Sequence, residues 1–276
     1  MERTTVNGTE LAYRIAGPAE GPAISMIHGY TGNTRNWALT IRPLTAAGWR
    51  TLTADNPGHG DSAAPEDPSA YTMENMADAQ HGLARSLGFA PAVVAGHSMG
   101  GAIAEEYAIR HPEAVRALVL VDSAGGGPRE VPGWAEQRAM MAKGHAYARE
   151  HGLEAFWEYQ VANGLRPGFS DLTPEMQALA KSEFLRTSLR GYLECGAQLG
   201  ARRHTLEDLA KLTIPTLVIR GENEGPGLVQ VADDLARVIP GARLEVIPGA
   251  GHSPQFEAPE RFNAVLLDFL ASLPRD

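Results

Sequence analysis

Ala92-Val93-Val94-Ala95-Gly96-His97-Ser98-Met99-Gly100-Gly101 reads as a short apolar strand, a Gly-x-Ser-x-Gly turn and the start of a helix. A strand that reverses sharply into a helix strains the backbone of its turn residue and leaves no room for side chains two positions away. Gly96 and Gly100 supply that room. The turn lifts the Ser98 hydroxyl clear of the sheet and aims the first helical N–H groups, beginning with Met99, at any oxyanion forming beside it. Pro91 and the small apolar residues before the turn suit a buried parallel strand, and Ala102, Ile103, Tyr107 and Ala108 recur at helical spacing after it.

Outward from this turn, strands and helices alternate. Ala23 to Ile27, Thr51 to Ala54, Ala92 to Ala95, Ala117 to Val121, Thr216 to Ile219 and Leu244 to Ile247 are short apolar runs, most of them separated by helical patterns. That alternation predicts a mostly parallel sheet with helices on both faces, and ligands then bind beyond the carboxyl ends of the strands. Ser98, Glu224 and His252 each follow such an end. Asn7-Gly8 predicts a two-residue hairpin opening the chain with an antiparallel pair. Between Gly125-Gly126-Gly127-Pro128 and about Arg203 the strands stop and helical patterns carry Trp134, Met140, Met141, Phe156, Trp157, Tyr159, Phe184 and Leu185. This predicts a helical cap over 125–204, hinged at the glycines and divided by a loop from Gly164 to Pro174, with core segments 1–124 and 205–276 on either side. Trp134, Met140, Phe156 and Trp157 are the candidate pocket residues.

A serine hydroxyl needs a general base, and the base needs a carboxylate to fix its tautomer. His252 lies in the glycine-flanked loop Pro248-Gly249-Ala250-Gly251-His252-Ser253-Pro254, ahead of a helix from Pro259 to Leu270, and is the candidate base. The strand ending at Arg220 runs into Gly221-Glu222-Asn223-Glu224-Gly225, which offers Glu224 as the acid; Asp122, after Val119-Leu120-Val121, is the competitor. Glu222 reads as an exposed loop charge. In His28-Gly29-Tyr30-Thr31-Gly32 the Tyr30 N–H is placed to join that of Met99 as an oxyanion donor, with His28 structural. Asp55-Asn56-Pro57-Gly58-His59-Gly60-Asp61-Ser62 reads as a bracing turn, with no chemistry assigned to His59.

Together these motifs resemble the α/β-hydrolase superfamily, in its cap-bearing branch of esterases, lipases and carbon–carbon bond hydrolases. The resemblance implies a central sheet of about eight strands, a covalent acyl-enzyme, no cofactor and a cap that sets substrate choice. It departs from the usual pattern in offering Glu224 where an aspartate is common. The expected activity is hydrolysis of small to medium apolar carboxylic esters through Ser98, Glu224 and His252. The rivals are hydrolysis of a carbon–carbon bond in a vinylogous diketone and a non-catalytic ligand-binding role.

Composition narrows the partners. The 276 residues fit one large α/β domain with an insertion, and a net charge of −9 with no basic cluster argues against nucleic acid and anionic membranes. No run approaches the ~20 apolar residues that span a bilayer. The single cysteine, Cys195, excludes an internal disulfide, and Met1-Glu2-Arg3-Thr4-Thr5 has no apolar leader, so a cytoplasmic protein is expected. No His-Glu-x-x-His spacing or phosphate-binding glycine loop before a lysine occurs, so no metal or cofactor is expected. The expected partner is a small-molecule ester, and the sequence leaves the oligomeric state open.

Overall fold

Alternation along the central strands sets the layers of the computed structural model, which describes residues 1–127, 130–166, 169–199 and 204–274. Val93 and Ala95, Ala117, Val119 and Val121, and Leu217 and Ile219 point to one face, where Leu44, Phe262, Leu266 and Phe269 cover them. Val94, Leu118, Leu120 and Val218 point to the other, beneath Met76, Ile103, Tyr107, Val231 and Leu235. Both faces of the middle strands are thus dry, and each fully buried large side chain contributes roughly 1.5–3 kcal/mol.

The strands are β1 (Glu2–Val6), β2 (Thr9–Ala16), β3 (Ala23–Ile27), β4 (Arg50–Ala54), β5 (Ala92–His97), β6 (Val115–Val121), β7 (Thr216–Gly221) and β8 (Arg243–Ile247). They form one eight-stranded sheet in the order β1-β2-β4-β3-β5-β6-β7-β8. β2 is antiparallel to β1 and β4, and the rest run parallel. Asn7 and Gly8 both have positive φ, as a tight hairpin turn requires. The helices are α1 (Ala38–Ala46), α2 (Met73–Ser86), α3 (Met99–Arg110), α4 (Trp134–Ala162), α5 (Pro174–Phe184), α6 (Leu189–Gln198), α7 (Leu206–Leu209), α8 (Pro226–Val238), α9 (Pro254–Glu257) and α10 (Pro259–Ser272). Helices α1 and α10 cover one face, and α2, α3 and α8 the other.

Register then gathers the loops. Ile27 pairs with Gly96, Gly96 with Leu120, Val121 with Ile219, and Gly221 with Ile247. Five neighbouring parallel strands therefore end at one level, and the loops at residues 28–32, 98, 122, 222–225 and 248–253 meet above them. Helices α4–α6 form an insert between β6 and β7, in the region the sequence assigned to a cap. Pro128, Arg203 and the middle of the 164–174 loop lie outside the described residues. Helix α4 breaks at Gly152 (φ 85), which separates two halves with different neighbours. No helix among the described residues is long and apolar enough to cross a membrane.

Candidate active site

Ser98 sits at φ 54 and ψ −116, a conformation most L-residues avoid, and caps α3 without a side-chain hydrogen bond to the helix. The surrounding backbone holds it there. A Cβ on Gly96 would lie 2.0 Å from the Gly100 carbonyl oxygen, and one on Gly100 would lie 2.3 Å from that of Ile27. Both contacts are impossible, so the turn tolerates only glycine at these positions, and the hydroxyl is left unused by the helix and aimed outward.

What it meets is His252. The Ser98 hydroxyl lies 3.0 Å from His252 Nε2, and His252 Nδ1–H donates to Glu224 Oε2 at 2.5 Å. Glu224 Oε1 accepts the Gly225 N–H at 2.6 Å. With its proton held on Nδ1, His252 presents a lone pair at Nε2, the state a general base requires. Burial pulls the His252 pKa down, but the Glu224 hydrogen bond and charge outweigh it and the net shift is upward. Burial would raise the Glu224 carboxyl, and His252 more than reverses that. Among the described residues, the N–H groups of Tyr30 and Met99 have no hydrogen-bond acceptor, and the Tyr30 loop runs against Ser98, where a Cβ on Gly29 would lie 3.2 Å from Ser98 Cβ. Two N–H donors without acceptors therefore lie on the segments that adjoin Ser98.

Asp122 is fully buried beside this chain. Its Oδ1 accepts the Gly221 N–H at 3.2 Å, and its own backbone lies in the left-handed region at φ 40. The structure thus brings Glu224 to His252 Nδ1 and leaves Asp122 behind Glu224.

A cavity of about 850 Å³ opens onto Ser98 and His252. Its roof is one face of α4: Trp134, Gln137, Arg138, Met141, Ala142 and His145 line it, at helical spacing. Of the four pocket residues expected from sequence, only Trp134 is there. Met140 is 63 % exposed, because one residue along a helix is a rotation of about 100° and it is Met141 that faces inward. Phe156 and Trp157 lie beyond the Gly152 break and pack with Ala148, Leu153, Phe184 and Tyr192 inside the insert. Trp157 instead borders a smaller cavity of about 240 Å³, where the Arg166 guanidinium stacks 3.4 Å above its ring.

Histidines near the site have fixed, neutral roles. His28 Nδ1–H donates to the Gly29 carbonyl at 2.8 Å and its Nε2 accepts the Asn56 N–H at 2.9 Å; burial pushes its pKa down to about 4. Asp55 accepts the N–H groups of Thr34 and Asp61, and Ser62 Oγ donates to the Asp55 carbonyl, so this turn does brace its neighbours. His97, inside the serine turn, is structural too. Its Nε2–H donates to the His252 carbonyl at 2.6 Å while its Nδ1 accepts from Asn36 Nδ2 at 3.2 Å, and burial, then the nearby His252, lower its pKa to about 3. It fixes the backbone that carries the base. Its position inside the serine turn was the only signal.

Away from the site the fold gathers His81, His111 and Glu113 close enough to share an ion, which no sequence spacing announced. The two rings stack at 3.8 Å, and Asp78 takes the His111 Nε2–H at 2.8 Å.

The sequence pattern of the α/β-hydrolase fold matches residues 22–259, most of the chain. The chain belongs to the α/β-hydrolase family. This α/β hydrolase is 27% identical to the enol-lactonase of Burkholderia xenovorans LB400, with a TM-score of 0.83 over 98% of this chain and 100% of that one. It is 26% identical to a thermophilic esterase of Thermogutta terrifontis, with a TM-score of 0.82 over 99% of each chain. A putative 2-succinyl-6-hydroxy-2,4-cyclohexadiene-1-carboxylate synthase of Bacillus subtilis (strain 168) is 26% identical over 98% of both chains.

Proposed function

We propose that this α/β hydrolase cleaves carboxylic esters, lactones included, through an acyl-enzyme on Ser98, with His252 as general base and Glu224 as the triad acid. The observation that carries this reading is the continuous hydrogen-bonded chain from Ser98 through His252 to Glu224, opening onto the cavity. The similarity to an esterase and an enol-lactonase supports an ester carbonyl as the target.

As the Ser98 oxygen attacks the carbonyl carbon, its proton passes to His252 Nε2, and the imidazolium formed is stabilised by Glu224. The carbonyl oxygen becomes an oxyanion between the N–H groups of Tyr30 and Met99, where one such donor is worth roughly 10²–10³ in rate. Collapse expels the alcohol, which takes the proton from His252. Water then attacks the acyl-enzyme with His252 again as base, releasing the acid and the free serine.

The insert over 125–204 acts as the cap. Tyr30 ties it to the oxyanion loop: its hydroxyl donates to the Tyr192 carbonyl at 2.5 Å and accepts from His145 Nε2 at 3.1 Å, while its ring stacks on Tyr192. A substrate that presses on α4 or α6 therefore presses on the loop that holds an oxyanion donor. Trp134, Met141, Leu199 and Leu228 give the cavity an apolar wall for an acyl or alcohol group, and Gln137, Arg138 and His145 add polar contacts within it.

The test is a panel of p-nitrophenyl esters of increasing acyl length, with a simple lactone and a dienoate diketone, on the parent protein and Ser98→Ala. Serine-dependent ester turnover with a length optimum is expected. Turnover of the diketone alone would replace the reading with carbon–carbon hydrolysis, and ester turnover undiminished in Ser98→Ala would overturn it.

A further inference from the structure

Two carboxyl groups meet behind His252, and only one of them is needed to orient it. Asp122 follows β6 and Glu224 follows β7, neighbours in the sheet, and the Asp122 N–H is bonded to the Ile219 carbonyl at 2.8 Å, which locks the two loops together. The Asp122 side chain is 0% exposed. Its Oδ1 accepts the Gly221 N–H, and its Oδ2 has no hydrogen-bond donor among the described residues, while the Glu224 carboxyl is its charged neighbour. Two carboxylates side by side in a dry interior repel strongly, and a buried oxygen without a donor is a further cost. A single proton between them removes both problems.

The donors already present decide where that proton resides. Glu224 receives two N–H bonds, from Gly225 and from His252, which favour its ionised form; Asp122 receives one and is the more deeply buried. We propose that Asp122 is a neutral positioning acid whose O–H donates to the Glu224 carboxylate and holds it in line with His252 Nδ1. Burial, followed by the Glu224 charge, raises the Asp122 carboxyl well above the usual carboxylate range, in agreement. The titratable groups facing the pair are His252 and, across it, His97 and Glu257; Glu257 is occupied by the N–H groups of Gly251 and Ser253. Asp122 is not among the residues that line the cavity, so its proposed role is to hold Glu224.

This inference rests on the triad proposed above, and one arm of its test does not depend on that triad. Infrared difference spectra of the parent protein against Asp122→Asn, at neutral pH, should show the carbonyl stretch of a protonated carboxyl in the parent alone, with a shift in D2O. Its absence would mean an ionised Asp122 and would overturn the proposal whether or not the protein hydrolyses esters. Asparagine is at home at positive φ and its amide N–H replaces the donor, so Asp122→Asn should fold and keep its rate of labelling by a fluorophosphonate within about threefold. Asp122→Ala removes the donor and should slow labelling by roughly 10- to 100-fold, with thermal melting confirming a folded protein. The acid limb of the rate profile supplies the last readout. It should coincide in the parent and Asp122→Asn; a shift to lower pH in the variant would show that a negative charge near His252 had been removed, and would refute a neutral Asp122.

Discussion

His204 is the cation that holds both ends of the insert, and its removal should cost a large fraction of the protein's stability. Glu105 and Glu106 are adjacent in α3 and both buried, an arrangement that requires compensation. His204 supplies it, Nδ1 to Glu106 at 2.6 Å and Nε2 to Glu105 at 2.7 Å. Glu105 also accepts the Ser123 hydroxyl and the Gly126 N–H, each at 2.7 Å, so the segment entering the insert and the residue leaving it converge on one carboxylate. Burial lowers the His204 pKa, yet the two carboxylates carry it up from 6.5 to about 9. That rise corresponds to roughly 3 kcal/mol of coupling, against a total stability of about 5–15 kcal/mol for a typical domain. Because the folded-state pKa is raised, this stabilisation is complete below about pH 6.5 and is lost as pH climbs through about 9. Urea unfolding of the parent and of His204→Gln, at about pH 6.5 and about pH 9.5, measures it. The parent should exceed the variant by about 3 kcal/mol at the lower pH and by much less at the higher. Equal stabilities at the lower pH, or parallel losses in both proteins, would refute the reasoning.

Other perturbations probe the site. Glu224→Gln should lower turnover by roughly 10²–10⁴ with the fold intact, measured by kcat and circular dichroism. In the parent, kcat/KM should fall on the acid side as His252 takes up a proton, at a pH above 6.5 because Glu224 raises it; Glu224→Gln should move that limb to lower pH. Met141→Ala should shift acyl-length preference in the ester panel, whereas Met140→Ala, on the outer face of α4, should leave it unchanged.

Much of this architecture was legible because its strands are buried on both faces and interrupted by strong turn signals. The Asn7-Gly8 hairpin and the runs around Ala23, Thr51, Ala92, Ala117, Thr216 and Leu244 all became strands, displaced by at most two residues at either end. The serine turn was readable for the same physical reason it works: only glycine fits at Gly96 and Gly100. The roof of the cavity was not, since the α4 face that lines it carries Gln137, Arg138 and His145 among its apolar residues and so shows no hydrophobic stripe. A cavity wall is wet and mixed, and apolar periodicity finds packed faces, which is where Phe156 and Trp157 turned out to lie. The roles of Asp122 and His204 depend on partners about 100 residues away, and no local pattern carries that information.

The most direct test of the central claim is peptide mapping of the folded protein after treatment with a fluorophosphonate. The account predicts one adduct, on Ser98, formed rapidly in the parent, lost on unfolding in urea and absent from Ser98→Ala. Failure of the folded protein to label at Ser98, or equal labelling of the urea-unfolded chain, would contradict a serine activated by His252 and Glu224.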